Sequence, residues 1–289
     1  MTLPPTLSDK LEDETGLRIL GTESVSGGSI NRTARIETDQ GFFFLKWNRQ
    51  APADMFEREA DGLNRLARAN TGLVIPAIHS WSPPEDEIPG YLLMDYIHPD
   101  GGSNRAFRKL GEGLAQLHEE TAPQFGLDVD NYIGRLPQSN RRDENWARFF
   151  IRERVEPRLR QAVEQQGLDP SLLTNWSRLA GRLREIFPAA QPSLLHGDLW
   201  SGNFLFNRDQ RPVLVDPAVY YGHPEMELAF TKMFGGFSSE FYDAYQSVHP
   251  LPSGFPDRVP IYNFYPLLVH ANLFGGGYLR QSADFLKRF

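Results

Sequence analysis

Residues 194–217 constrain this chain most. Asp198 and Asn203 stand five positions apart in HGDLWSGN (196–203), and Asp216 closes the apolar run Val213-Leu214-Val215, the place of a carboxylate at the end of a strand. A fold containing this stretch has to bring two carboxylates and an amide to one site. The set suits phosphoryl transfer. One carboxylate accepts or orients the proton of an attacking hydroxyl, while the amide and the second carboxylate hold Mg2+ against nucleotide phosphates.

Composition narrows the partners. The 289 residues suffice for one large domain or two lobes with a sizeable core. Hydrophobic residues make up 40%, charged residues 23%, and the net charge is −7, which argues against a nucleic-acid backbone or an anionic membrane as main partner. The absence of cysteine removes disulfides, thiolate nucleophiles and cysteine-based zinc sites. The first ten residues lack a basic start followed by an apolar stretch. No apolar run approaches the roughly 18 residues of a membrane span, so a cytoplasmic protein is expected.

The first hundred residues read as strands with one helix, the remainder as mostly helical outside 194–217. Residues 42–47 are aromatic and β-prone, with Phe42, Phe44 and Lys46 on one face. Residues 53–69 read as a helix with Glu57, Asp61, Arg65 and Arg68 on its polar side. Glu59 then falls beside the apolar stripe of Met55, Leu63 and Leu66, where a carboxylate needs a partner. After the proline-bearing loop 81–90, residues 91–97 (YLLMDYI) read as a buried strand, and 98–102 break the pattern. The expected architecture is α+β: a small lobe over residues 1–97, a helical lobe over 98–289, and a nucleotide-sized cleft between them. In the second lobe, residues 104–120 and 145–165 read as helices, the latter opened by Arg141-Arg142 and interrupted at Pro157. Residues 250–260 read as a proline-rich loop, and the tail from Ile261 as helical and aromatic.

Ser26-Gly27-Gly28-Ser29-Ile30-Asn31 is either a plain hairpin turn or a loop whose backbone N–H groups cover phosphates; its place before the Lys46 strand favours the second. Lys46 alone reads as a lysine snorkelling to water. Glu59 on the next helix needs a cation, however, and a Lys46–Glu59 pair on nucleotide phosphates accounts for both charges. Glu57, the competitor, faces the polar side. His196 reads as structural. With Asp198 it is also the start of a metal-hydrolase site, but no second His/Asp cluster stands at ligand spacing. Trp200 is either core or a ring that stacks on a sugar or on the apolar part of a substrate. The glycines at 235–236 and 275–277 read as turns, since neither cluster follows a strand and opens a helix.

Together these residues resemble the fructosamine-3-kinase, or ketosamine kinase, family, which is related to aminoglycoside phosphotransferases and has a protein-kinase-like two-lobed fold. The resemblance is carried in order by SGGSIN (26–31), MFEREADGL (55–63), LLMDYI (92–97), NYIGRLPQSN (131–140), NWARFF (145–150), HGDLWSGN (196–203) and DPAVYYGHPEMELAFTKMFGGF (216–237). It implies Asp198 as catalytic base and Asn203 with Asp216 as Mg2+ ligands. It also implies Lys46 with Glu59 on the phosphates of ATP, Gly27 and Gly28 in the covering loop, and Met94, Asp95, Tyr96 and Ile97 at the adenine. Trp200 would meet the substrate and Glu227 would brace the catalytic region. The implied reaction is ATP-dependent phosphorylation of the 3-hydroxyl of a ketosamine, small or protein-bound. The 3-phosphate then falls apart and frees the amine, which is deglycation.

Some members carry a cysteine after the loop glycines and form a redox-sensitive dimer; Ser29 stands there in this chain, so no thiol switch is expected and the oligomeric state stays open. Two rivals remain. A kinase for another hydroxyl substrate, an aminoglycoside or amino alcohol, is opposed by Trp200-Ser201-Gly202. A nucleotide-binding module without catalysis is opposed by the retention of Lys46, Asp198, Asn203 and Asp216.

Overall fold

Alternation along one central strand sets the first lobe. The computed structural model describes residues 3–25 and 30–289, so Ser26, Gly27, Gly28 and Ser29 lie outside the described residues. Helix α1 (Pro5–Thr15) and strands β1 (Ile19–Ser24), β2 (Arg32–Thr38) and β3 (Gly41–Asn48) precede helix α2 (Met55–Arg68) and strands β4 (Ile78–Ser82) and β5 (Gly90–Asp95). The strands form an antiparallel sheet in the order β1-β2-β3-β5-β4, and Lys46 on central β3 is paired with Thr33 and Leu92. The two-residue period sends Leu45 and Trp47 to one face, against Leu7 and Leu11 of α1. Phe44 goes to the other face, covered by Phe56, Ala60 and Leu63 of α2, and Lys46 reaches Glu59 of α2 there.

Helix α1 corrects the expectation of a single helix in this region. Its buried side consists of Leu7 and Leu11 alone, too thin a stripe to stand out in PTLSDKLEDET. Proline at its start and Gly16 in the left-handed conformation at its end (φ 69°) delimit it.

Strand β6 (Pro99–Asp100) leads into α3 (Asn104–Leu117), the hairpin β7 (Asn131–Ile133) and β8 (Leu136–Gln138), and the helices α4 (Trp146–Phe149), α5 (Glu156–Gln166), α6 (Leu172–Ala180) and α7 (Leu183–Ile186). Then come β9 (Ser193–Leu195), β10 (Phe204–Asn207), β11 (Pro212–Leu214) and β12 (Tyr220–Gly222). The chain closes with α8 (Pro224–Thr231), α9 (Ser239–Val248), α10 (Phe255–Tyr262), α11 (Phe264–Phe274) and α12 (Gly276–Leu286). Strand β9 pairs with β12, and β10 with both β11 and β6. The polar loop 196–203 therefore hangs between two strand pairs, and Asp216 lies on the link from β11 to β12.

Helix α2 is tied to the helical lobe at both ends. The Tyr132 hydroxyl donates to Asp54 Oδ1 at 2.6 Å and Arg65 pairs with Asp128 at 2.9 Å. Just beyond the helix, Val74 exchanges backbone hydrogen bonds with Pro212 and Leu214 at 2.8 and 3.0 Å.

Prolines account for two further corrections. Pro157 does not interrupt its helix: residues Phe150–Val155 form a π-helical turn between α4 and α5, and Glu156 N–H reaches back to Ile151. The wider turn carries the chain past a residue with no N–H to give. The stretch 250–260 is half helix. Pro256 sits in the first turn of α10, where proline is tolerated, and Arg258 lashes this helix to α8 through Glu225 at 2.7 and 2.5 Å. Helix α4 starts at Trp146, with Asn145 Oδ1 accepting from Arg148 N–H at 2.9 Å, so exposed Arg141 and Arg142 precede the helix rather than open it. The strand expected over 91–97 ends at Asp95, and the helix expected over 104–120 ends at Leu117.

His223 caps α8. Its Nδ1 accepts from Glu225 N–H at 3.1 Å and its Nε2 donates to Pro188 O at 3.3 Å. Burial pushes its pKa down to about 3, against about 6.5 in an unfolded chain. The unfolded state therefore binds more protons in that window, and stability falls as pH drops from about 6.5 toward 3, by up to about 1.4 kcal/mol per unit. A His223→Asn variant keeps a capping oxygen without the titration. Its thermal midpoint should fall less steeply between pH 6.5 and about 4 than that of the wild type.

Candidate active site

The loop after β9 is shaped by a close backbone approach. Gly197 has φ +84°, and a Cβ there would lie 2.0 Å from Ala218 O. Ala218 N–H donates to His196 O at 2.9 Å, so the loop and the segment after Asp216 are in direct contact. Buried Glu227 of α8 accepts the N–H groups of His196 and Gly197 at 3.0 and 2.7 Å, and His118 Nε2 meets it at 3.0 Å. Burial alone would raise the Glu227 carboxyl. His118, His196 and the Gly197 N–H outweigh that and hold it below the usual range.

His196 is itself structural. Its Nε2 donates to Val215 O at 2.9 Å while Nδ1 accepts from Asp198 N–H at 3.3 Å, and burial lowers its pKa, which keeps the ring neutral.

Around this frame the charged residues converge. Lys46 Nζ lies 2.7 Å from Glu59 Oε1 and 2.5 Å from Asp216 Oδ1. Burial works against the Lys46 cation, but the two carboxylates prevail and raise its pKa, so it is charged. Asn203 Nδ2 donates to Asp198 Oδ2 at 2.9 Å and to Asp198 O at 2.8 Å. Burial, then the neighbouring Asp216 charge, pushes Asp198 well above the ordinary carboxylate range. Asp216 takes φ +56°, an uncommon angle outside glycine and one that persists where its surroundings enforce it.

Lys46, Glu59, Asp198, Trp200, Asn203 and Asp216 all line one cavity of about 560 Å³. Met94, Asp95, Tyr96 and Ile97 do not: Met94 is buried against Phe44 and Ile78, and Asp95 pairs with His79 and Ala77. Trp200 is 38% exposed, which excludes the core reading. Its ring packs over Gly202, where a Cβ would come within 2.4 Å of it, and edge-on to Phe234. The cavity also recruits Arg58, Tyr132, Gly134, His270 and Phe274, none singled out in the sequence. Arg58 and the hairpin residues lie inside recognisable motifs, but His270 and Phe274 sit in an aromatic tail that carries no signal of a site.

The donor set fits Mg2+. With its Nδ2 committed to Asp198, Asn203 has its amide oxygen left for a cation, and Asp216 has its Oδ2. No group of three or more His, Asp or Glu able to hold a metal occurs among the described residues. Two protein oxygens completed by phosphate and water are what Mg2+ ordinarily takes.

Comparison with known proteins covers most of the chain. A sequence model described as fructosamine kinase matches residues 5–289. A probable ketoamine kinase of Enterococcus faecium is 41% identical over 92% of this chain and 94% of its own length. A ketosamine-3-kinase of Mus musculus is 35% identical over 93% of this chain and 97% of its own. The crystal structure assigned as a fructosamine-3-kinase of Thermobifida fusca superposes with a TM-score of 0.87 at 30% identity, covering 98% of this chain and 97% of that one. An aminoglycoside phosphotransferase in complex with AMP-PNP and hygromycin B shares the fold alone, at 17% identity and a TM-score of 0.66 over 99% of this chain and 98% of that one. The fold is thus kinase-like and α+β. No helix among the described residues is long and apolar enough to cross a membrane.

Proposed function

The chain belongs to the fructosamine kinase family, and we propose that it transfers the terminal phosphoryl group of ATP to the 3-hydroxyl of a ketosamine. The observation that carries this reading is the meeting of Lys46, Glu59, Asp198, Asn203 and Asp216 in one cavity. Asp198 accepts and orients the proton of the attacking hydroxyl. Lys46, held by Glu59, takes the nucleotide phosphates. Asn203 and Asp216 would hold Mg2+, which when bound neutralises charge on the phosphate oxygens. Everything else is positioning, with no covalent intermediate.

In this reading residues 1–97 form the nucleotide lobe and 98–289 the helical lobe. The family resemblance, rather than the cavity, assigns the backbone of Met94–Ile97 to the adenine and Gly27 and Gly28 to the phosphates. Trp200 gives its exposed ring to the substrate.

The test is phosphate transfer from Mg2+–ATP to ribulose-lysine, fructose-lysine and kanamycin. Turnover of a ketosamine supports the proposal and ranks the sugars. Turnover of kanamycin alone would reassign the acceptor to aminoglycosides. Trp200→Ala should raise the KM for the ketosamine about fivefold, the worth of one aromatic contact of ~1 kcal/mol, while the KM for ATP stays where it is.

A further inference from the structure

The motif NYIGRLPQSN takes no part in the chemistry above, yet it folds into the hairpin β7–β8 beside the cavity. Asn131 and Gln138 are register partners in it. Gln138 Nε2 donates to Asn131 Oδ1 at 2.9 Å and to Ala218 O at 3.2 Å, while its Oε1 accepts from the Tyr265 hydroxyl at 2.7 Å. Asn131 Nδ2 donates to Val219 O at 2.8 Å. The guanidinium of Arg154, on the π-helical turn, lies 3.9 Å from the centre of the Tyr220 ring, and its Nη2 donates to Asn140 Oδ1 at 2.7 Å. Ala218, Val219 and Tyr220, which follow Asp216 and Pro217, are thus each held by one polar side chain of the hairpin or the turn behind it.

Asn131, Gln138, Asn140 and Arg154 are all buried. Polar groups are expensive to bury, and apolar residues would fill the same space with less risk; a hydrogen-bonded network, here with Arg154 Nε left unpaired, instead fixes one geometry. Here that geometry is the left-handed turn at Asp216 and the contact of Ala218 with Gly197, immediately before Asp198. The same hairpin reaches the other working parts. Tyr132 holds Asp54 at the start of the helix that carries Glu59, and Gly134 packs against Ile30 and Leu273. The path from Asp216 to β12 is too short to include the long activation segment that orders this region in protein kinases.

We infer that the β7–β8 hairpin positions this active site, with Gln138 and Asn131 holding the segment after Asp216 so that its carboxylate faces the phosphates and Asp198 stays in register with it. Both are positioning residues, since they act through backbone carbonyls. The inference rests on the phosphotransfer reading proposed above.

Gln138→Glu replaces the donor facing Ala218 O with an acceptor of equal size. Tyr265→Phe removes only the hydroxyl that orients Gln138, and it remains informative should the first variant fail to fold. Thermal midpoints, steady-state turnover and calorimetric binding of ADP at graded Mg2+ are measured for each variant. The expected result is a kcat about 100-fold lower for Gln138→Glu, and a smaller drop for Tyr265→Phe, without a matching rise in the KM for ATP. The Mg2+ concentration for half-maximal ADP binding should rise about tenfold in Gln138→Glu. A lower midpoint with unchanged turnover per folded molecule and an unchanged Mg2+ requirement, in whichever variants fold, would overturn the inference. Absence of ketosamine turnover in the wild type would instead overturn the proposed reaction, and the Mg2+ dependence of ADP binding would still decide the role of the hairpin.

Discussion

Asp198→Asn should lower kcat by roughly a thousandfold, the usual worth of a positioned general base. The amide has nearly the shape of the carboxylate and can still meet Asn203 Nδ2 through its oxygen, so the loop should keep its form. What disappears is a group able to take the hydroxyl proton. Nucleotide affinity should change little, because Lys46, Glu59 and Asp216 form their own ion-paired unit. Steady-state kinetics paired with calorimetry of ATP binding separates the two effects. Should nucleotide affinity collapse together with turnover, Asp198 is a binding residue and the base lies elsewhere.

The second large effect is expected at Glu227. Its two oxygens accept from His196 N–H, Gly197 N–H and His118 Nε2. In Glu227→Gln one of those oxygens becomes an NH2 group facing donors, so a buried donor is left without an acceptor. Leaving a buried donor unpaired in this way costs about 1–3 kcal/mol. The thermal midpoint should drop by several degrees, and the surviving folded protein should turn over more slowly, because the backbone just before Asp198 has lost its support. Chemical denaturation and turnover normalised to the folded fraction measure both. A midpoint within a degree of the wild type would refute the clamp.

The contrast between what could be read from the chain and what could not has physical reasons. Glu59 stood out because helical period put a carboxylate on an apolar stripe, and the cation it needed is present 2.7 Å away. Asp198, Asn203 and Asp216 stood out through spacing within one short stretch, because the loop after β9 and the link after β11 are close in sequence as well as in space. Asn131 and Gln138 gave no such signal. They sit on strands of three residues, too short for a period, and their partners are backbone carbonyls of residues 218 and 219, which no side-chain pattern reveals. Helix α1 was hidden by its polarity. At Pro157 the rule that proline breaks helices was sound, but a change of helical pitch satisfied it where a break was expected. His270 and Phe274 reach the cavity because α11 runs past it, a fact of tertiary packing alone.

The tethering of α2 has a mechanical consequence. Asp54 and Arg65 anchor that helix to the helical lobe, and Val74 anchors the chain just beyond it, while Lys46 rides on the central strand of the sheet. A swing of the sheet against the helical lobe therefore pulls on Lys46, whose ion pair with Asp216 joins the sheet directly to that lobe while α2 stays packed on both. One ion pair becomes the gauge of cleft closure, and a distance probe placed across it would report when the two halves of the molecule have come together.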